Sequence, residues 1–319
     1  MADPVLSQFH RRAMATEFVV MLPGLFGKHA ELALEALEQV EAIESQLSIY
    51  RPASDISRLN QAAGVGPVNI SQDCLAVLQQ AQELSRQTHG AFDVTAGPLV
   101  QAWGFTQRRG QKPTPEAIAQ ALSKVGFDRL RLDAQRGTAE LLEPGMSLNL
   151  GAIGKGFALE RIASVLRAGG ATDFLVHGGK SSVIAAGDDV PGSDSGWKVA
   201  IEHPLIRGRR LGGLRLRNEA LATSGSGSQF FHHQGKRLGH VIDPRTGWPA
   251  GDLLSLTIVH PSATAADALA TGLFVSGLDQ GLRGFDGGWV AVQPTGRQAD
   301  VVVRHGGLRE DAWIHDPAD

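Results

Sequence analysis

Hydrophobic positions change period several times along the chain, and each change marks an element. Residues 30–47 (AELALEALEQVEAIESQL) place Ala33, Ala36, Leu37, Val40, Ile43 and Leu47 on one stripe at helical spacing, so this helix covers a core. Residues 72–89 predict a second helix, with Ser71 as N-cap and Gly90 at the C-terminal end. TPEAIAQALSKVG predicts a third, with Thr114 as cap, Pro115 at the first position and Gly126 past the end. A fourth runs from about Lys155 to Ala168 and closes on Gly169-Gly170, and an apolar one covers 264–276 (TAADALATGLFVS). Strand patterns fill the rest: EFVVMLPG, RLRLD, TAELL, MSLNL, much of Phe174 to Ile242, LSLTIVH, GWVAVQP and ADVVVRHG.

Strands and helices are mixed without regular βαβ alternation, which predicts an α+β fold and not a doubly wound sheet. No repeat or low-complexity linker divides the 319 residues, so one domain is expected, with at most a small subdomain and a loosely held tail over 307–319. The net charge of -3 gives no electrostatic footprint for nucleic acid, and no run of 18 apolar residues predicts a membrane span. Cys74, the single cysteine, excludes an internal disulfide and a multi-cysteine metal site. Arg11-Arg12 does not open a twin-arginine signal, because Glu17 and Pro23-Gly24 interrupt the apolar run that would follow. A cytoplasmic location is therefore expected, or a periplasmic one if an export signal has been removed. The 39 glycines are spread along the chain and predict many tight turns or close backbone approaches.

Several stretches carry chemistry. Gly179-Lys180-Ser181 ends like a phosphate-binding P-loop, but Phe174 stands where the first glycine is needed, and the Ser-Val-Ile-Ala-Ala run after it predicts a strand in place of a helix. In LNLGAIGKGFALERI, Lys155 lies among Gly151, Gly154 and Gly156 where a strand meets a helix; free N–H groups and a mobile cation there suit a phosphate, and a solvated lysine on a glycine turn is the alternative. Asp267 and Thr271 are four apart on one helix face and offer hard oxygen ligands to magnesium; an ordinary helix acid and a filler residue would look the same. In GHVIDPRTGWPA, His240 precedes a tight turn, and a loop histidine is suited to act as a base, although most lone histidines are structural. His232 and His233 are adjacent on a strand and point apart, which argues against a metal pair. ALATSGSGSQFF lacks both a serine-hydrolase elbow and a dinucleotide fingerprint. LSIYRPASDISRLNQ and GAFDVTAGPLVQAWGF are polar and turn-rich, and their Tyr50, Phe92, Trp103 and Phe105 either line a planar ligand or pack a loop.

Taken together and in order, MAT (14–16), LSIYRPASDISRLN, GAFDVTAGPL, LGAIGKGFA, HGG, ATSG, HVIDPRTG and ADALATGLF resemble the FAD:protein FMN transferases, the ApbE-type flavin transferases, from Met14 to about Gly277. The resemblance implies a T-fold-like architecture of mixed and antiparallel sheets with packed helices. It also implies FAD as substrate, Mg²⁺ as cofactor, and transfer of FMN to a Thr or Ser hydroxyl of an acceptor flavoprotein with release of AMP. By matched position, Asp267 and Thr271 are expected to hold the metal with main-chain oxygens of Ala152 and Ala270. Lys155 is expected near the phosphates and His240 as the base. Met14, Ser48, Asp55, Ile56, Thr223 and Ile242 are expected to contact the flavin nucleotide, with Ala152, Lys155 and His240. Hydrolysis of FAD to FMN and AMP at the same site, or FAD binding without turnover, are the rival expectations. The sequence departs from the family pattern at Lys180 and Asn149, where acidic residues are usual, and in the SGSGSQFF run.

Overall fold

The computed structural model describes residues 5–25, 29–107, 110–226, 230–234, 236–296 and 299–315. The chain opens with a hairpin, β1 (Leu6–Ala13) and β2 (Thr16–Pro23), whose two-residue turn puts Met14 (φ 51°) and Ala15 (φ 57°) in the left-handed region. A long excursion follows through α1 (Ala30–Leu47), α2 (Asp55–Gln61), β3 (Val68–Asn69), α3 (Gln72–Gln87), α4 (Gly97–Ala102), α5 (Pro115–Leu122), β4 (Leu130–Asp133), β5 (Thr138–Leu141) and α6 (Gly154–Ala168). Next come β6 (Phe174–Gly178), β7 (Ser182–Ala186), β8 (Trp197–Glu202), β9 (Arg210–Leu216), β10 (Glu219–Gly225), β11 (Phe230–His233) and β12 (Lys236–Gly239). The described chain closes with β13 (Ser255–His260), α7 (Ala263–Gly281), β14 (Gly288–Pro294), β15 (Val301–Gly306) and β16 (Trp313–Ile314).

The fold is α+β, built on an eight-stranded sheet of order β1-β2-β6-β7-β10-β13-β14-β15, antiparallel at every junction. One face packs against α1, α6 and α7 over the main core, where Phe18, Phe174, Ile258 and Phe274 are buried. The other face meets a small sheet of order β16-β9-β8 across Leu175, Val183, Leu214 and Leu221. A third cluster joins α4 and α5 to the His240 loop through Leu99, Trp103, Ile118 and Ile242.

The predicted helices form at the expected places and their caps are made: Ser71 accepts from Cys74 N–H and Thr114 from Ala117 N–H. All six residues of the α1 stripe are buried. Other expectations are corrected. MSLNL forms no strand: Met146, Leu148 and Leu150 are buried, but the backbone is pinned irregularly, Leu148 N–H on Asn60 Oδ1 and Asn149 N–H on the Val94 carbonyl. The two turn-rich segments each contain a short helix, α2 and α4. The tail expected to hang loose supplies β16, which pairs Trp313 with Leu214 and Ile314 with Gly213; residues 316–319 lie outside the described ones, as do 227–229 of the Ser/Gly run.

Candidate active site

The acidic pole of the site depends on how closely α6 and α7 approach. Ser262 caps α7, its hydroxyl accepting from Ala265 N–H, and the same hydroxyl donates to Glu160 on α6. At the contact, a Cβ on Gly156 would lie 2.2 Å from the Ala263 carbonyl oxygen, so only glycine fits. Gly156 N–H then donates to Asp267 Oδ2 (3.0 Å), Ser182 Oγ donates to Oδ1 (3.3 Å), and Lys155 Nζ lies 3.4 Å from Oδ1. Asp267 is 4% exposed, and these donors are what stabilise a buried carboxylate. One turn further along α7, Thr271 Oγ1 shares a hydrogen bond of 2.7 Å with Ser224 Oγ on β10.

These groups line a cavity of about 730 Å³, within the usual range for a ligand site. Lys155, Asp267, Thr271, Ser224 and Thr223 line it, as do Tyr50, Phe92 and Phe105. His240 and Ile242 enter from the loop after β12. That loop is braced: Asp243 accepts from Arg245 through its backbone and guanidinium, Gly247 N–H bonds the Asp243 carbonyl, and Trp103 Nε1 donates to the Gly247 carbonyl (2.8 Å). The His240 ring sits 6.3 Å from the Phe105 ring, edge on.

The structure thus brings together Lys155, Ala152, Thr223, His240, Ile242, Asp267 and Thr271 from segments far apart in sequence. It does not bring the rest. Ala270 is wholly buried within α7 and does not line the cavity. Ile56 is wholly buried, and Asp55 is spent on Ser71 N–H and on the Arg58 guanidinium. Ser48 uses its carbonyl to accept from Ser54 and Ser57 and its hydroxyl to accept from Tyr50 N–H, so it positions Tyr50, which does reach the cavity. Met14 packs on the core and bonds Glu44 through its N–H, while its neighbour Ala15 faces the cavity.

The glycines of HGG serve the fold. A Cβ on Gly178 would strike the Phe18 ring, and Gly179 (φ 62°) has Thr16 Oγ1 2.5 Å from where its Cβ would be. Sequence reasoning missed Asp93, Ser181 and Ser224, all on the cavity wall. Asp93 lies within GAFDVTAGPL, and its D-x-T spacing, in which the carboxylate accepts from Thr95 N–H and Oγ1, was the available signal. Burial pushes the Asp93 carboxyl above its ordinary range, against the pull of Thr95 and Phe127 N–H.

Hard oxygen donors facing one cavity, with the buried Asp267 carboxylate among them, fit a magnesium ion that keeps waters and takes its remaining ligands from substrate phosphates. Among the described residues no cluster of three or more His, Cys, Asp or Glu forms, so such an ion would rely on those added oxygens.

This α+β frame is shared with known proteins. The ApbE family profile matches residues 14–288, and the chain belongs to that family. The FAD:protein FMN transferase of Haemophilus influenzae is 38% identical over 257 residues, 77% of this chain and 73% of that protein; that of Escherichia coli K12 is 32% identical over 275 residues, 83% and 77%. Among solved structures, the flavin transferase ApbE of Vibrio cholerae superposes with a TM-score of 0.79 at 28% identity, covering 94% of this chain and 97% of that one. The ApbE protein of Thermotoga maritima gives 0.82 at 26% identity, covering 91% and 94%.

Proposed function

We propose that this protein transfers the FMN half of FAD to a Ser or Thr hydroxyl of an acceptor flavoprotein. The observation that carries the reading is the convergence of Lys155, Asp267 and Thr271 on a cavity that His240 and aromatic residues also line. Relatives named for this activity support it.

Phosphoryl transfer asks mainly for alignment and for positive charge where negative charge gathers. The diphosphate sits against the first turn of α6, where Lys155 supplies a cation and the positive end of the helix dipole adds to it. Asp267 and Thr271, with the Ala152 carbonyl, would hold Mg²⁺, whose chemistry is to neutralise the diphosphate. His240 takes the proton from the acceptor hydroxyl. The hydroxyl oxygen bonds to the phosphorus of the FMN half, the bond from that phosphorus to the bridging oxygen breaks, and AMP departs with the electron pair. Tyr50, Phe92 and Phe105 offer apolar surface to the flavin ring.

The test is to incubate the protein with FAD, Mg²⁺ and a Ser/Thr-containing acceptor and to separate the products under denaturing conditions. A fluorescent flavin band that stays with the acceptor is expected. Free FMN and AMP without that band would mean hydrolysis, and intact bound FAD would mean binding alone; either result overturns transfer.

A further inference from the structure

Two residues that line the cavity are not fixed in place by burial. Tyr50 is 70% exposed, and Ala15 is exposed at the tip of the β1–β2 turn. What places such residues is the bonding of the segments that carry them. A two-residue turn leaves the N–H groups of its central residues unused by the hairpin ladder, so they take partners elsewhere.

Both segments are tied to one carboxylate. Glu44 stands in the last turn of α1. Its Oε1 accepts from Met14 N–H (2.8 Å), 30 positions away, and its Oε2 pairs with the Arg51 guanidinium, 7 positions away. Arg51 follows Tyr50, whose hydroxyl donates to the carbonyl of Thr106 (3.1 Å), itself a lining residue. Glu44 thus links the β1–β2 turn to the Tyr50 loop, while neither it nor Arg51 lines the cavity. With Arg51 45% exposed, the ion pair adds little to folding stability, and its consequence lies in where it holds the loop. Lys155 and Asp267 take their places from the α6–α7 contact and do not depend on it.

We propose that Glu44 is a positioning residue for the flavin half of FAD: through Met14 N–H and Arg51 it holds the Ala15 turn and the Tyr50 ring in the arrangement that receives the isoalloxazine ring. It acts through these neighbours and does not touch the ligand. The inference rests on the transferase reading, in which Tyr50 offers its face to the flavin, and adds the residue that sets that face in place.

Glu44→Gln tests it, since the amide keeps an acceptor for Met14 N–H and gives up the charge that holds Arg51; Arg51→Met removes the other member of the pair. Binding of FAD, FMN and AMP to each variant and to the double variant is measured with Mg²⁺ present, by flavin fluorescence and, for AMP, by calorimetry. Either single change is expected to raise the Kd for FAD and for FMN about tenfold, equal to ~1.4 kcal/mol, with the Kd for AMP and the melting temperature unchanged. The double variant is expected to bind no more weakly than the weaker single one, because both changes break the same bond. A merely structural role would shift AMP binding and melting together with the rest. Unchanged FMN affinity in the folded single variants, additive losses in the double one, or an equal loss for AMP overturns the positioning role alone. If the unaltered protein binds neither FAD nor FMN, the transferase reading falls and this inference with it.

Discussion

Asp267 has two duties that a single substitution can separate. Its carboxylate accepts from the buried Gly156 N–H and also offers charge to the cavity. Asp267→Ala strands that N–H, which costs about 1–3 kcal/mol, and is expected to lower the melting temperature as well as remove the response to Mg²⁺. Asp267→Asn keeps an acceptor for Gly156 and is expected to melt close to the unaltered protein while transfer falls by a factor on the order of 100 or more. Parallel melting curves and Mg²⁺ titrations of the two variants check this; full Mg²⁺ stimulation in either would remove Asp267 from the metal. Gly156→Ala is expected to destabilise by about 1–3 kcal/mol or more, because its Cβ would press on the Ala263 carbonyl. A denaturant midpoint equal to that of the parent would refute the close approach.

At the scale of elements, what the sequence disclosed depended on whether an element made its own bonds. Helix α1 was legible from its stripe and α3 and α5 from their caps, because both signals are local, and the buried residues of α1 are those its spacing predicts. The edge strand β1 was not, because LSQFHRRA has no fully apolar face and owes its place to β2. Met146 to Leu150 alternates like a strand, yet its partners are Asn60 and Val94, which no local pattern announces. The site divides in the same way. Lys155, Asp267 and His240 line the cavity and motifs mark them, whereas Ser48 is taken up by bonds within its own segment and Asp55 by the Ser71 N–H. The β1–β2 turn shows a further consequence: Met14 and Ala15 adopt φ values that cost L residues about 1–2 kcal/mol each. Ala15→Gly, which relieves one of them and leaves the Met14 packing in place, is expected to raise stability by about 1 kcal/mol, measured by chemical denaturation, and to weaken FAD binding if Ala15 touches the nucleotide.

Across the whole molecule, two histidines set an acid limit. Burial lowers the His177 pKa below 6.5, aided by nearby His10 and Lys180 and opposed by Glu17, and burial with Arg209 lowers that of His203, opposed by its bond to the Ala299 carbonyl. The unfolded chain therefore binds more protons than the folded one just below pH 6.5. The stability these groups contribute is complete above 6.5 and drains away as pH falls toward their depressed native values. The melting temperature is expected to drop between about pH 7 and about pH 5.5, and His177→Gln is expected to flatten that slope. An unchanged slope would assign the acid sensitivity to other groups.

The junction of β2 with β6 sets the order in which the molecule is assembled. Phe18 pairs with Gly178, so about 160 residues must be gathered before that seam closes, whereas the β14–β15 hairpin needs only its own turn. Lys155 and Asp267, 112 positions apart, meet across the helices that this seam anchors. A chain diluted from denaturant is therefore expected to regain its strand signal in an early kinetic phase and its capacity to retain flavin in a later one.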